Sequence, residues 1–547
     1  MDAASVMKLR IFSNQYYEFI NKFVKSDFEN SKMLGKFYTD LSIAKRLITD
    51  LLSQYEFPIG SNRIRIIDPF CGDGRLIKLL LLKIADIDVF KTVSLEIVLW
   101  DIDQVAVEKA GNEIKNIIKE TSLDAIVNTE NVDAYVLYAS EEKKFDICIT
   151  NPPWCLLKPQ KIFHDRCTLQ EINEYKKSVA LYDTYIKSEF PLSQPTRKFG
   201  KWGTNLGRTG AEVLLRLMAP KGICGLVSPA SLFNDQVSVT LRKWIFDEHR
   251  IYSISYYPAE LKLYGPADVS SVTAVIGTGK TDTFFTTKIF GLEHNYETKI
   301  LDKDEFEYVK RNQYTLPLET GFGMFNILRH LEKLPTVLDF CTENDFTFVR
   351  ELDETRVTEK LSGYGKIGFA KGYMVDRYQF QADGLFLNEE KVVPPNTIKG
   401  WKIVWRDVSR NSQKRRMKAT ILPPGHIVGN SLGAICNMDE RKNGLLKILL
   451  AVMNSMVFEF QARSHLVSNH VSAGVIKQLH VPYLTKEKKL QKLVDNRMIG
   501  KNVEWEIEVY VAKLYALTEK QFFAIVSRFD FSNNEIIELK TIAKQYY

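Results

Sequence analysis

The sequence predicts an α/β chain: a parallel, doubly wound sheet in its N-terminal part, followed by a smaller mixed α+β domain. Three observations predict it. Short β-branched or wholly apolar runs alternate with amphipathic helical stretches up to about residue 280, the pattern of strands joined by crossover helices. The first four of these strands lead into glycine-, acid- or proline-bearing turns, at the edge where such sheets hold ligands. Beyond about residue 315 the alternation fades into short mixed segments, and 547 residues exceed what one core sustains. The expected domains are 1–314 and 315–547.

Leu41, Ala44, Leu47, Ile48, Leu51 and Leu52 recur at helical spacing behind Thr39 and Asp40, so a helix is expected over 41–52. Ile64 to Ile67 is a β-branched run that stops at Asp68-Pro69-Phe70-Cys71-Gly72-Asp73-Gly74, and Arg75 to Ile84 is helix-like. A second strand, Leu95 to Trp100, ends at Asp101-Ile102-Asp103 and passes into a helix reaching Lys119. A third, Ala125 to Val127, precedes Asp133-Ala134. The fourth, Phe145 to Thr150, is nearly all apolar, as a strand covered on both faces should be, and stops at Asn151-Pro152-Pro153-Trp154. A polar, irregular stretch over 156–210 reads as a long loop region. Helix resumes over Ala211 to Met218, turns at Pro220-Lys221-Gly222, and gives way to strands at Ile223 to Val227, Ile251 to Tyr256 and Val272 to Ile276.

Composition narrows the class. Hydrophobic residues at 45% and charged residues at 26% are those of an ordinary folded chain, which excludes disordered and fibrous classes. The net charge of +7 arises from 74 basic and 67 acidic residues and is a mild pointer to an anionic partner. Clustering is more informative. Lys402, Arg406, Arg410, Lys414, Arg415, Arg416 and Lys418 stand against the single acid Asp407 between Trp401 and Thr420, a pattern that suits a phosphate backbone or a solvated face. Seven scattered cysteines support neither a disulfide framework nor a zinc site, and no metal is expected. Without an apolar leader or membrane span, a cytoplasmic location is expected, with no membrane partner.

The Asp68–Gly74 turn suits a nucleoside ligand: glycines allow close backbone approach, and the following helix offers free N–H groups. It lacks the spacing of a dinucleotide or P-loop phosphate cradle. Asp101, at the end of the next strand, is placed to accept ribose hydroxyls, or to cap the helix from Gln104, a role open equally to Asp103. Asp133 is similarly placed to meet an adenine amino group. In Asn151-Pro152-Pro153-Trp154 the prolines remove N–H donors and stiffen the turn, so the Asn151 amide oxygen and the Pro152 carbonyl can converge on one amino group. Accepting both hydrogens of a base amine favours a pyramidal nitrogen, whose lone pair is then available to an electrophilic methyl. Trp154 offers a face on which a base swung out of its duplex can stack.

With those residues in hand, the chain resembles the gamma class of amino-group DNA methyltransferases of restriction–modification systems, over roughly residues 32–280. The resemblance implies a Rossmann-like class I methyltransferase domain, S-adenosyl-L-methionine as cofactor, methylation of adenine N6 in duplex DNA by base flipping, and a C-terminal target recognition domain. It assigns Phe37, Tyr38, Thr39, Asp68, Pro69, Phe70, Gly72, Gly74, Asp101, Ile102, Asp133 and Ala134 to the cofactor, and Asn151, Pro152, Pro153 and Trp154 to catalysis. Tyr257, with Tyr256 as neighbouring rival, is assigned to the second face of the flipped base. Double-stranded DNA is the implied partner, held by Arg406, Arg410, Lys414, Arg415, Arg416 and Lys418.

Alternatives come from several classes. The Asn-Pro-Pro-aromatic turn also occurs in glutamine-methylating and RNA-methylating enzymes, although the long basic C-terminal region favours DNA. No Asp…Glu-x-Lys nuclease pattern is evident, so cleavage is expected of a separate cognate restriction endonuclease. The long C-terminal region argues against dependence on a separate specificity protein. The intact set Asp68, Asp101, Asp133 and Asn151 argues against a relative that binds DNA without chemistry.

Overall fold

The computed structural model describes residues 3–23, 34–57, 60, 62–138, 144–160, 166–195, 203–264, 269–281, 285–290, 296–388, 390–410, 413–466, 469–485 and 487–547. They form two compact units, Met1–Leu316 and Pro317–Tyr547.

Unit 1 is a nine-stranded sheet with helices packed against it. Its strands are β1 (Arg63–Asp68), β2 (Ser94–Asp101), β3 (Ala125–Asn131), β4 (Phe145–Thr150), β5 (Met218–Pro229), β6 (His249–Tyr257), β7 (Ser271–Thr278), β8 (Thr286–Phe290) and β9 (Tyr296–Ile300), in the spatial order 3-2-1-4-5-7-6-8-9. Strands β3, β2, β1, β4 and β5 run parallel, and β7 enters antiparallel between β5 and β6. The chain order reverses between β1 and β4, so a crevice opens outside their carboxyl ends.

The helices that matter for the site are α1 (Ala3–Phe23), α2 (Leu41–Gln54), α3 (Arg75–Ile84), α4 (Gln104–Thr121), α5 (Leu169–Glu189), α6 (Leu206–Leu217) and α7 (Val239–Glu248). One apolar cluster joins Ile64 and Ile66 of β1, Leu95, Ile97 and Leu99 of β2, and Ile147 and Ile149 of β4. Leu47 and Leu51 of α2, Leu76 and Leu80 of α3, and Ile114 of α4 complete it. Burying each such side chain stabilises the fold by about 1.5–3 kcal/mol. Gly74 caps α3 at φ +71°, and a Cβ there would lie 2.8 Å from the Ala110 Cβ, so only glycine lets α3 approach α4 this closely.

Several elements depart from the sequence expectation. The stretch 156–210, expected to be irregular, contains the 21-residue helix α5, fixed by a Thr168/Glu171 capping box. Its buried face is Ile172, Tyr175, Val179, Tyr182 and Ile186, and tyrosines there disguise the apolar period. Helix α6 starts at Leu206, ahead of the expected Ala211. Pro220-Lys221-Gly222, expected as a turn, lies within β5, where the register against β4 shifts between Phe145 and Ile147 and a proline disturbs no regular ladder. Helices α1 and α7 and strands β8 and β9 were not anticipated.

Unit 2 holds a four-stranded antiparallel sheet, in the order Thr347–Val349, Leu432–Asn437, Trp401–Arg406, Ala419–Leu422. A second, smaller four-stranded sheet and a set of C-terminal helices complete it. Among the described residues no single helix is long and apolar enough to cross a membrane.

Candidate active site

A cavity of about 860 Å³, open to solvent, lies outside the carboxyl ends of β1, β2 and β4. It brings together Phe37, Tyr38, Thr39, Asp68, Pro69, Phe70, Gly72, Asp101, Ile102, Asp133, Ala134, Asn151 and Pro153. Gly74 does not line it, because that glycine serves helix packing. Lys36, Arg75, Tyr135 and Tyr17 of α1 also form its wall. Nothing in the spacing of Tyr17 marks it, because the contact spans more than a hundred residues.

The 34–39 segment and the Asn151–Trp154 loop are built on one another. Trp154 donates its backbone N–H to the Gly35 carbonyl at 3.0 Å. Gly35 has φ +64°, and a Cβ there would sit 2.6 Å from the Trp154 nitrogen, so this crossing admits only glycine. The Asn151 amide nitrogen donates to the Phe37 carbonyl at 2.6 Å and to the Thr39 hydroxyl at 3.1 Å. A carbonyl acceptor requires the NH₂ end, which leaves the amide oxygen buried and without a partner among the described residues. Pro152 is buried, its ring pressed on Gly210 of α6, where a Cβ would lie 2.4 Å from the Pro152 Cβ.

The carboxylates are held in distinct ways. Asp68 is buried and accepts from the Thr150 hydroxyl at 2.6 Å and the Phe70 N–H at 3.1 Å, and burial pushes its carboxyl up to about 7. Asp101 accepts the Gly72 N–H at 2.7 Å on one oxygen and the Asp103 N–H at 2.8 Å on the other, so each oxygen keeps one free lone pair. Burial raises its pKa. Capping of α4 falls to Asp103, which accepts from the Ala106 N–H at 3.1 Å and pairs with Lys36 at 2.7 Å. Asp133 accepts on one oxygen from Ser13 of α1, at 2.5 Å, and from Tyr182 of α5. Its other oxygen accepts the Tyr135 N–H at 2.9 Å and retains one acceptor position. Burial raises this carboxyl too.

The second-aromatic assignment is corrected. Tyr257 is 1% exposed and stacks on Phe290, with ring centroids 4.7 Å apart, in a cluster with Ile43. It is a core residue turned to Phe290 rather than to Trp154, and its neighbour Tyr256 is buried as well; none of Trp154, Tyr257 and Tyr264 lines the cavity. The aromatic beside Trp154 is Tyr264, at 4.5 Å and 59°, with Phe37 at 5.4 Å on Trp154. Tyr264 lies beyond the end of β6, where strand alternation no longer foretells which way a side chain points. The Trp154 indole N–H is buried without a partner among the described residues.

The basic stretch in unit 2 is also corrected. Arg415 and Arg416 are 8% and 0% exposed, so neither can reach a phosphate backbone. Arg415 pairs with Glu459 and Glu508, each at 2.9 Å, and donates to the Asn454 carbonyl. Arg416 donates its backbone N–H to Glu459. Arg406 is spent on the carbonyls of Gly372 and Val375, Lys414 pairs with Glu535, and Lys418 with Asp376. Arg410 is exposed. The acids that neutralise this run lie 42 or more residues away in sequence, so the local excess of charge was misleading.

No protein-family model and no curated protein matches the chain. Among solved structures it is similar to LlaBIII, an ATP-dependent type ISP restriction–modification enzyme bound to DNA, with a TM-score of 0.50 and 10% identity over 90% of this chain and 40% of that one. It is similar also to a nuclease-deletion mutant of the type ISP enzyme LlaGI with a DNA substrate mimic (TM-score 0.48, 11% identity, 88% and 56% of the two chains). A third is the type IIG restriction endonuclease BpuSI (0.43, 14%, 92% and 67%). The chain thus spans two fifths of the length of LlaBIII, and at this identity the likeness is one of fold.

Proposed function

We propose that the chain is an S-adenosyl-L-methionine-dependent DNA methyltransferase that methylates the N6 amino group of adenine in a short duplex sequence. Unit 1 carries the chemistry in this reading, and unit 2 reads the target, with Arg410 and Lys414 the exposed members of its basic stretch. The observation that carries the proposal is the amide oxygen of Asn151, an acceptor fixed in place with no donor among the described residues. A buried acceptor of that kind costs about 1–3 kcal/mol, which an amino group of the substrate would recover.

The cavity suits the cofactor by charge. Five carboxylates, Asp68, Asp73, Asp101, Asp103 and Asp133, face it against two cations, Lys36 and Arg75. Both cations are already paired, with Asp103 and Asp73. Such a site repels phosphates and favours a cationic nucleoside. Asp101 has one lone pair left on each oxygen for the ribose hydroxyls, and Asp133 has one acceptor position for the adenine amino group. When bound, S-adenosyl-L-methionine supplies an electrophilic methyl group.

The chain's own residues do the rest. Asn151 accepts a hydrogen of the target amine and turns its nitrogen lone pair toward the cofactor side of the loop. Trp154 and Tyr264 hold the base by stacking, and at 4.5 Å their rings must part to admit it. Phe37 and Thr39 keep the Asn151 amide from rotating. LlaBIII, whose fold the chain shares, is a restriction–modification enzyme bound to DNA, which favours DNA as substrate and a host-protection role beside a cognate endonuclease.

The test is transfer of radiolabelled methyl from S-adenosyl-L-methionine to unmethylated genomic DNA, followed by nucleoside analysis and sequencing of modified sites. N6-methyladenine in one short motif is the expected result. Transfer to RNA or protein instead of DNA would overturn the proposal.

A further inference from the structure

Helix α6 begins against the catalytic loop. Its first residue, Leu206, donates its N–H to the Cys155 carbonyl at 2.9 Å, and a Cβ on Gly207 would lie 3.5 Å from the Trp154 ring and 3.4 Å from the Pro153 carbonyl. The next residue is Arg208. Its backbone N–H is taken by the Asn205 cap at 3.0 Å, but its guanidinium has no hydrogen-bond or ion-pair partner among the described residues, and its Nε is buried. Burial pulls its pKa down, and Asp235, after the end of β5, is the charged group it feels. Asp235 accepts the N–H groups of Val237 and Ser238 on its Oδ1, at 3.0 and 2.7 Å, and makes no ion pair with Arg208. Asn234 beside it has both ends of its amide buried without a partner.

Other arginines in comparable settings are satisfied. Arg242 of α7, fully buried, donates to the carbonyls of Leu232, Asp235 and Gln313. Arg216, two turns along α6 from Arg208, pairs with Glu212 at 2.6 Å. A half-buried guanidinium left unpaired is destabilising, and a planar fork of five donors is the group best matched to a phosphate. Arg208 does not line the cavity that holds Asp68, Asp101 and Asp133, so a ligand met by its guanidinium is distinct from one bound there.

We propose that Arg208 is an anion site that grips a backbone phosphate of the substrate strand beside the extruded target base. This rests on the DNA methyltransferase reading above. The phosphate would fix the flipped nucleotide's backbone while Asn151 and Trp154 hold its base, so Arg208 is a binding residue for the substrate strand and leaves the methyl transfer to the loop.

The test compares the wild-type full chain with Arg208→Gln and Arg208→Lys, using a duplex that carries the methylated motif found by sequencing. Arg208→Gln should raise the KM for DNA by about ten- to a hundredfold, as loss of a charge-assisted hydrogen bond does, with S-adenosyl-L-methionine affinity by calorimetry unchanged. The slope of log K against log salt should fall by about 0.9, one phosphate contact. A neutral methylphosphonate placed in turn at each phosphate flanking the target should weaken wild type at one position and leave Arg208→Gln unaffected there. Arg208→Lys should restore the salt slope and part of the affinity. An unchanged KM and salt slope in Arg208→Gln, or loss confined to kcat, would overturn the proposal. Absence of any DNA methylation by the wild type would instead overturn the reading on which it rests.

Discussion

Asn151 places its amide nitrogen 2.6 Å from the Phe37 carbonyl, and this bond decides which end of the amide is left for a substrate. The Asn151–Trp154 loop and the segment that walls the cavity are therefore one mechanical piece, with Gly35 at the crossing and Thr39 as the second acceptor. Shifting one displaces the other.

Asn151→Ala removes the unpartnered acceptor and should lower kcat by about 10²–10³ or more, by analogy with loss of one polar group that meets the reacting atoms. Binding of cofactor and DNA should stay within a few fold of wild type. Single-turnover methyl transfer with titrations of both ligands checks this, and turnover equal to wild type would exclude the mechanism.

Gly35→Ala should impair the reaction without touching any reacting group. The new Cβ meets the Trp154 backbone nitrogen at 2.6 Å and asks for φ +64° from an L-residue, so the crossing must open. A destabilisation of about 1–3 kcal/mol is expected, together with a loss of activity larger than that from Gly60→Ala, at a positive φ where a Cβ meets nothing. Thermal melts and initial rates on both variants separate the two effects.

Asp68 ties cofactor binding to pH-dependent stability. Its folded carboxyl sits at about 7, against about 3.9 in an unfolded chain, so the folded state holds the extra proton between those values. Stability from this group is complete below about pH 4 and is lost as pH rises through 7. The loss reaches about 4 kcal/mol at most. Asp68→Asn should therefore melt higher than wild type at pH 8, converge with it near pH 4, and bind the cationic cofactor more weakly. A melting difference independent of pH would remove this account.

Arg415→Ala should unfold unit 2 rather than loosen DNA. It removes the guanidinium that the buried Glu459 and Glu508 share, leaving them Arg463 and Arg377 respectively, a change that costs up to about 3–5 kcal/mol, the range for a broken buried pair. Arg415 and its neighbours hold Glu459 down to about 2, so the stability this acid contributes is present above about pH 4.3 and is lost as pH falls toward 2. Denaturant melts at pH 7 and pH 3 should show a smaller gap between variant and wild type at the lower pH. A flatter salt dependence of DNA binding in a fully folded variant would return Arg415 to the interface.

By itself the sequence determined the strand, loop and helix succession of β1, α3, β2, α4 and β4, and the turns that end those strands. Each of these is a local property: a run of β-branched residues, a glycine turn, a helical period, a proline pair. Asp68, Asp101 and Asn151 sit at strand ends, and strand ends in a parallel sheet share one edge, so their common location follows from order alone.

Tertiary structure decided the rest. Only it shows that Ser13 and Tyr182 occupy one oxygen of Asp133, that Tyr264 rather than Tyr257 stands beside Trp154, and that Arg415 and Arg416 are inside while Arg208 has no partner among the described residues. The reason is common to all four. Whether a polar or aromatic side chain is satisfied, buried or available depends on partners 40 to more than 100 residues away, and neither composition nor periodicity carries that distance.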